Sequence, residues 1–316
     1  MDKRYIFVIH KGNHEYFKAC ISSIKNSNPD AHIVLFGDER NADIVGVEHI
    51  DYDDAKKNMI LKFDEYVHLS PNSEEYERIC LDRFFVIYDY MKKNQIDIGF
   101  HMDSDVLLNV KLEDKYYNGK FNYCRNCGGT MIFTLAQIEK FCLLIKEWYT
   151  SSQKLQQLKD LYNLRIERGM AGGISDMTFF NLYVMNYTDD TNDMSRIRYN
   201  ECFDYFFGNP EGYERYMGKC RIYCKNGTYY YRHMLTGEFV QVNSLHCGAK
   251  DKAYMVELNR RPVGDSLMVF DYNKMQWVDG CCELTEDKNA AKRLKIREIK
   301  FHIRKKIESI IALRKR

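Results

Sequence analysis

The sequence contains no run of 18 or more apolar residues, which excludes a membrane-spanning helix of ordinary length. It has no G-x-x-x-x-G-K-[ST] and no G-x-G-x-x-G, so the fingerprints of the phosphate-cradling and dinucleotide-binding loops are missing. With only 4 prolines and no low-complexity stretch, it offers no Pro-rich linker between units. No internal repeat is present. The first residues, "MDKRYIFVIHKG", hold about five apolar residues in a row and no small-residue cleavage site, so a first strand is expected there rather than a signal peptide. A disulfide framework is also disfavoured. The 11 cysteines are odd in number and lie in a long chain, which suits thiols in a reducing cytoplasm. Cys124-x-x-Cys127 has zinc-knuckle or redox spacing, but no second CxxC or neighbouring His pair completes a zinc site.

What is present reads as a soluble globular chain. It is 45% hydrophobic and 29% charged, and its 316 residues suffice for one large or two modest domains. "YIFVI" (5–9), "HIVLF" (32–36) and the weaker "VEHI" (47–50) read as short strands, with helical spacing from Asn13 to about Lys25. "SPNSEEYERICLDRFFVIYDYMKKN" opens on cap residues and acidic side chains, then turns apolar at helical spacing, and leads into the strand "IDIGFHM". "GGTMIFT" (128–134) predicts a strand, "LAQIEKFCLLIKEWY", 153–168 and "DMTFFNLYVMN" predict helices, and "YCKNGTYYY" (223–231) a hairpin. Strands alternating with helices predict an α/β sandwich around a mainly parallel sheet, whose ligands bind outside the carboxyl ends of the strands.

At one such end stand Asp103-Ser104-Asp105, two carboxylates one residue apart directly after an apolar run. The bland account is a solvated loop. The functional account is a hard divalent ion, Mg²⁺ or Mn²⁺, which prefers to share its shell with phosphate oxygens and water. A phosphorylated ligand is therefore expected.

"GFHMDSDVLL" resembles the D-x-D segment of GT-A fold glycosyltransferases, most closely the family 8 type. Three other places are similar to that family: Asn126-x-Gly128 in "RNCGGTMIF", "DMTFFN" with Asp176 in the first acidic position, and "LHCGAKDK". Thr178 departs from the second acidic position, the spacing after His246 is compressed, and the Pro-Trp that often follows is missing. The resemblance implies a GT-A fold, a Rossmann-like α/β/α sandwich, and a nucleotide-sugar donor whose diphosphate is bound through Mn²⁺ or Mg²⁺. It implies Asp103, Asp105 and His246 as metal ligands. Ser104, Asn126, Gly128, Gly248 and a lysine, Lys250 or Lys252, would lie against the donor. Asp176 would be the catalytic carboxylate, stabilising positive character at the anomeric carbon, binding an acceptor hydroxyl or acting as general base; its plain alternative is a helix N-cap. Retention of configuration is what the family implies. His10, Lys11 and Asn13 at the end of the first strand, Asp38 at the end of the second, and Arg83 (with Arg78 competing) are candidates for the nucleotide or its phosphates.

The charge is uneven. From Lys288 onward there are 12 Lys/Arg against Glu298 and Glu308, about +10, which leaves 35 basic and 43 acidic residues in the body, about −8. Residues 288–316 place Leu294, Ile296, Ile299, Ile303, Ile307, Ile310 and Ile311 near one face of a basic amphipathic helix. It would suit an anionic membrane surface, or else pack on the acidic body; nucleic acid is not expected. The organisation expected is a catalytic domain over 1–287 and a helical tail over 288–316, peripheral at the inner, cytoplasmic membrane face. The function expected is metal-dependent transfer of a sugar, a UDP-sugar being typical of the family, to a glycan or lipid-linked glycan acceptor. The alternatives are a sugar-phosphate nucleotidyltransferase, which the single-Gly, Arg-free "HKGNHEY" loop disfavours, and a non-catalytic membrane-surface binding protein.

Overall fold

The computed structural model describes residues 4–125, 127–170, 172–208 and 212–280. Asn126 and the basic segment 288–316 lie outside the described residues.

Residues 5–193 build a seven-stranded sheet. Its strands are β1 (Tyr5–Ile9), β2 (His32–Gly37), β3 (Glu48–Asp51), β4 (Ile98–Met102), β6 (Phe121–Cys124), β7 (Cys127–Thr134) and β8 (Thr191–Asp193), with the short β5 (Val106–Leu108) set off from it. The order is β3-β2-β1-β4-β7-β6-β8. β1 runs parallel to β2 and β4, β2 to β3, and β6 to β8, while β7 is antiparallel to both its neighbours. The sheet is therefore parallel-rich, as its alternation of strands with helices predicts.

Alternation along β1 shows how the layers form. Ile6 and Val8 enter one core together with Phe17, Cys20 and Ile24 of α1 (Glu15–Ser27). Phe7 and Ile9 enter the other, against α3 (Glu74–Lys93), α4 (Leu135–Thr150) and α6 (Asp176–Asn186). Successive side chains of a strand point to opposite faces, so an unbroken apolar run marks a strand covered on both sides. Short α2 (Tyr52–Lys57) follows β3, and α5 (Ser152–Glu167) follows α4. The helices start where their caps dictate: Ser73 Oγ accepts from Tyr76 N at 3.3 Å, and Thr134 and Gln137 form a capping box.

From Glu201 onward the chain adds a six-stranded sheet in the order β17-β16-β12-β13-β14-β9. These are β9 (Glu201–Cys202), β12 (Tyr223–Lys225), β13 (Thr228–Arg232), β14 (Phe239–Val242), β16 (Met268–Asp271) and β17 (Gln276–Asp279), with a β10 (Arg215–Tyr216)–β11 (Lys219–Cys220) hairpin beside it. Only the β12–β13 hairpin is predicted from sequence. Its turn residues Asn226 and Gly227 both have positive φ, 50° and 71°, which suits Asn-Gly at a tight hairpin. The other strands run two to four residues, too short for a period-2 pattern to stand out. This sheet packs into the core on the α1 side, through Cys224, Tyr229, Tyr231 and Phe270. β15 (Ser244–His246) leaves it to pair with β5, and α7 (Met255–Asn259) lies against α1. Among the described residues the nine cysteines are all free thiols, and no helix is long and apolar enough to cross a membrane.

Candidate active site

The site forms where β4 ends. Asp103 N donates to Gly129 O of β7 at 2.8 Å and Val106 N donates to Asp103 O at 3.1 Å, so residues 103–106 make a tight turn into β5. β5 pairs antiparallel with β15 in a register that puts His246 opposite Val106, and Cys247 N donates to Asp105 O at 2.8 Å. A two-stranded ladder thus carries a histidine across 141 positions of sequence to the paired aspartates.

Ligand atoms of Asp103, Asp105 and His246 lie within 4.8 Å of one another, and they are the only such group of three or more among the described residues. His246 Nε2 stands 3.4 Å from Asp105 Oδ1, an oxygen that is buried and has no hydrogen-bond partner. Lys252 Nζ is 3.1 Å from Asp105 Oδ2. His246 Nδ1 is tied to the Tyr205 carbonyl at 2.7 Å, so Nε2 is the nitrogen turned to the aspartate. A metal-binding imidazole is commonly fixed in this way by the nitrogen it does not use. Two carboxylates plus an imidazole nitrogen, with a buried orphaned oxygen between them, fit a hard divalent ion.

The electrostatics agree. Burial opposes ionisation of Asp105, yet His246 and Lys252 hold its carboxyl well below the usual carboxylate range. Burial likewise opposes the imidazolium of His246, but the Asp105 carboxylate outweighs it and lifts the histidine well above the ordinary imidazole range. The proton on His246 therefore occupies the place a cation would take.

A third cation reaches the site from α3. The guanidinium of Arg83, on α3, bridges Asp103 Oδ1 and Asp176 Oδ2, the latter at 2.5 Å, with its own side chain only 8% exposed. Gly128 is the residue that lets it in: a Cβ there would sit 2.7 Å from Arg83 Nη2 and 2.9 Å from Phe180. Asp176 is the first residue of α6 and accepts from Met177 N at 2.8 Å, while Ser175 and Thr178 form the capping box. Asp176 is therefore not the cap. Burial raises its pKa against the pull of Arg83.

The remaining candidates divide. His10 lies beside the paired aspartates, its Nδ1 at 3.0 Å from Ser104 Oγ and its ring stacked on Phe17. Burial, with His14 and Lys252, lowers its pKa to about 4, so it is neutral. Gly248 lies 3.7 Å, as a virtual Cβ, from His246 Nε2. Lys252 is the lysine that faces the carboxylates, whereas Lys250 is exposed. Lys11 is turned to Asp53 at 2.8 Å, and Asn13 is exposed. Asp38 accepts from Gly12 N with both oxygens at 3.1 and 3.0 Å, which anchors the loop after β1 rather than reaching the metal centre. Arg78 is engaged by Asp82 at 3.1 Å and by the Phe63 carbonyl at 3.0 Å.

Several contributors escape a reading of motifs. His101 is fully buried, donates from Nδ1 to the Phe7 carbonyl at 3.0 Å and turns Nε2 to Asp103 Oδ1 at 3.3 Å. It sits on β4 two residues before Asp103, which follows the strand directly, so period-2 spacing could have found it. Asp204 accepts from His246 N at 3.0 Å, and a buried Lys219–Asp251 pair at 2.5 Å pins the turn that carries Lys252. No local signal marks these contacts. Gly129 is equally informative, because a Cβ there would lie 3.0 Å from His246 Cε1. Gly129→Ala is expected to weaken Mn²⁺ binding about tenfold by pushing the imidazole off its line, an effect of the size seen when the outer shell of a metal site is disturbed. Titration of Mn²⁺ into wild type and variant checks it; unchanged affinity would show that the ring has room to give.

No protein-family model matches the chain, and no curated protein sequence does. Solved structures of low similarity do. The apo form of mouse xyloside xylosyltransferase 1 shares 10% identity over 67% of this chain and 91% of that one, with a TM-score of 0.43. The apo form of the glycosyltransferase GlyE of Streptococcus pneumoniae shares 16% identity over 67% of this chain and 48% of that one, with a TM-score of 0.35. The galactosyltransferase LgtC, in complex with donor and acceptor sugar analogs, shares 12% identity over 56% of this chain and 69% of that one, with a TM-score of 0.28. What this site can do follows from its own side chains.

Proposed function

We propose that this protein is a metal-dependent glycosyltransferase of the GT-A, family 8 type, which moves a hexose from a UDP-sugar to a glycan or lipid-linked glycan acceptor in cell-surface polysaccharide or lipooligosaccharide synthesis. The observation that carries the reading is the convergence of Asp103, Asp105 and His246 at a strand end, with Lys252 beside them and the buried Asp105 Oδ1 turned to the His246 nitrogen at 3.4 Å. Mn²⁺ or Mg²⁺ held by these three residues would supply Lewis-acid stabilisation of a departing diphosphate. Lys252 adds a fixed positive charge from the same side, where negative charge develops as the donor bond breaks. His10 and Ser104, joined at the end of β1, border the nucleotide side. Asp176, oriented by Arg83, supplies a carboxyl beside the reacting carbon or an acceptor hydroxyl. Retention of configuration is part of the family 8 reading.

Residues 1–287 form the catalytic unit in this proposal. The basic residues of 288–316 bind an anionic membrane surface, each Lys or Arg contributing about 1 kcal/mol there. That attachment keeps the enzyme peripheral at the inner, cytoplasmic face, within reach of a lipid-linked acceptor.

Thermal unfolding with UDP, GDP, CMP and their sugars, in Mn²⁺ and in EDTA, tests the reading. A ligand at a hundred times its Kd stabilises the fold by about 2.7 kcal/mol. A Mn²⁺-dependent rise with one nucleotide is expected, and none with any of them would sink the proposal. The pH dependence has a definite sign. Because Asp105 raises the pKa of His246, the metal must displace a proton. Mn²⁺ affinity should therefore strengthen about tenfold per pH unit from pH 6 to 7, as expected for release of one proton on binding. Calorimetric Mn²⁺ titrations at the two pH values decide it, and a flat profile would remove His246 from the metal's ligands.

A further inference from the structure

Two loops meet at one end of the six-stranded sheet, and both hold large apolar side chains out in solvent. The β13–β14 hairpin turns over residues 233–238, closed by Gly237 N donating to His233 O at 2.9 Å. At its tip Met234 is exposed and Leu235 is 91% exposed. The neighbouring loop, 196–200, leads into β9, which runs parallel to β14 with Glu201 opposite Gln241. Asn200 Nδ2 donates to Phe239 O at 2.8 Å, and Gln241 N donates to Asn200 O at 2.9 Å. The residues before Asn200 therefore lie at the end of the sheet where the hairpin turns. There Ile197 is exposed and Tyr199 is 98% exposed.

Single apolar side chains scattered over a surface are ordinary, but four on two adjoining loops form a patch. Tyr199 marks it most clearly. Its φ is 52° and that of Asn200 is 61°, the left-handed region that Gly or Asn adopts more readily than a tyrosine. Its ring is therefore held where neither the backbone conformation nor the core favours it. The charge around the patch is mainly positive. Arg196 is 77% exposed and keeps only a 3.7 Å contact to Asp193. Arg198 is exposed too, and its exchange with Glu201 uses backbone atoms, at 2.9 Å in each direction. Of the nearby acids, Asp193 accepts from Arg125 N, Ser195 N and Ser195 Oγ, and Glu214 accepts from Arg232 and Tyr223. Glu238 is the exposed acid of the hairpin.

We propose that this end of the six-stranded sheet docks on anionic phospholipid, with Ile197, Tyr199, Met234 and Leu235 entering the membrane interface and Arg196 and Arg198 on head-group phosphates. Tyrosine suits a boundary with one apolar and one wet side, aliphatic tips enter the acyl layer, and guanidinium forks match phosphate. A protein partner would call for a broad face of about 800 Å² rather than two narrow tips. The contact belongs to the globular body and is distinct from residues 288–316. It rests on the proposed function only for its setting at a membrane.

Flotation of the full chain with phosphatidylcholine vesicles, with and without phosphatidylglycerol, tests it. Wild type should float with the anionic vesicles. Tyr199→Glu combined with Leu235→Glu should weaken that partition at least tenfold, as should Arg196→Gln combined with Arg198→Gln. Tyr199→Trp supplies a reading that does not depend on loss. Lipids brominated along the acyl chain should quench it beyond the baseline set by the native Trp148 and Trp277. Ile303→Asp combined with Ile307→Asp is the comparison in the basic tail. Flotation abolished by the tail variant but untouched by both loop variants, or no added quenching of Tyr199→Trp, would overturn the proposal and leave the tail as the anchor. Failure of wild type to float would overturn both membrane contacts. The Mn²⁺-dependent UDP response, recorded alongside, should persist in the loop variants, which shows them folded. Its absence from wild type would sink the glycosyltransferase reading while leaving the vesicle result intact.

Discussion

Asp105→Ala is expected to eliminate the Mn²⁺-dependent stabilisation by nucleotide, about 2.7 kcal/mol at a hundred times Kd in the wild type, and to lower turnover at least 10²-fold. The backbone of the site should survive, because the carbonyl of Asp105 that receives Cys247 N and the β5–β15 pairing do not depend on the side chain. What is lost is the one anion that His246 and Lys252 both face, at 3.4 and 3.1 Å. Two cations then confront each other, and His246, no longer lifted by the carboxylate, falls back toward the neutral form that burial favours. The metal-free variant should also be less stable, since removing one partner of a largely buried ion pair costs about 3–5 kcal/mol and a side chain 13% exposed belongs near the low end. Thermal unfolding with and without Mn²⁺ and UDP separates the two effects. A variant that keeps its Mn²⁺-dependent nucleotide shift would leave the paired aspartates as a surface feature. Asp105→Asn is the companion, because it preserves shape and removes only the charge.

How much of this was legible beforehand follows from how far each contact reaches along the chain. β1, α3, β4 and α6 are declared locally, by apolar runs, acidic first turns and caps, and each lies within a residue or two of its expected place. Asp103 and Asp105 are legible for the same reason, since a strand exit and two carboxylates occupy five consecutive positions. The position of His246 beside the aspartates is fixed by the β5–β15 register, and neither three-residue strand announces itself. Arg83 illustrates the limit best. Its position on the helix before the metal strand was readable, but its two partners are 20 and 93 residues away, and only packing decides that its guanidinium turns inward between them. The choice between Lys250 and Lys252 was open in sequence for a similar reason. Lys252 is the one that stands 3.1 Å from Asp105, next to a buried Lys219–Asp251 pair that no spacing rule anticipates. The six-stranded sheet was missed because its strands are short and rich in Tyr and Cys at positions facing both sides.

Arg83→Met should destabilise the protein by about 3–5 kcal/mol at pH 7.5, more than its loss of packing alone would, because it leaves two carboxylates in a site built around their shared cation. Burial already raises the pKa of Asp176 with Arg83 in place, and Asp103 is held low against burial chiefly by that arginine. Without it, burial pushes both carboxyls above the unfolded value near 3.9. The sign of the pH effect is then fixed. A carboxyl raised in the folded state binds its proton more tightly there than in the unfolded chain, so stability declines as pH rises through that window. Asp103 in the wild type behaves oppositely: its contribution is present above the unfolded pKa and lost as pH falls through its lowered folded value. The gap between wild type and variant should therefore be widest at pH 7.5 and narrow toward pH 4.5, measured by urea unfolding at both. Arg83→Met combined with Asp176→Asn should recover part of the loss, since the double change removes one of the two stranded charges. A gap that ignores pH, with no recovery in the double variant, would mean that Arg83 only fills space against Phe84 and the Gly128 cradle. In the expected case Arg83 joins the proposed metal ligand to the proposed catalytic carboxylate, and Mn²⁺ at Asp103 should itself return some stability to the variant by taking over half of the charge that the arginine had balanced.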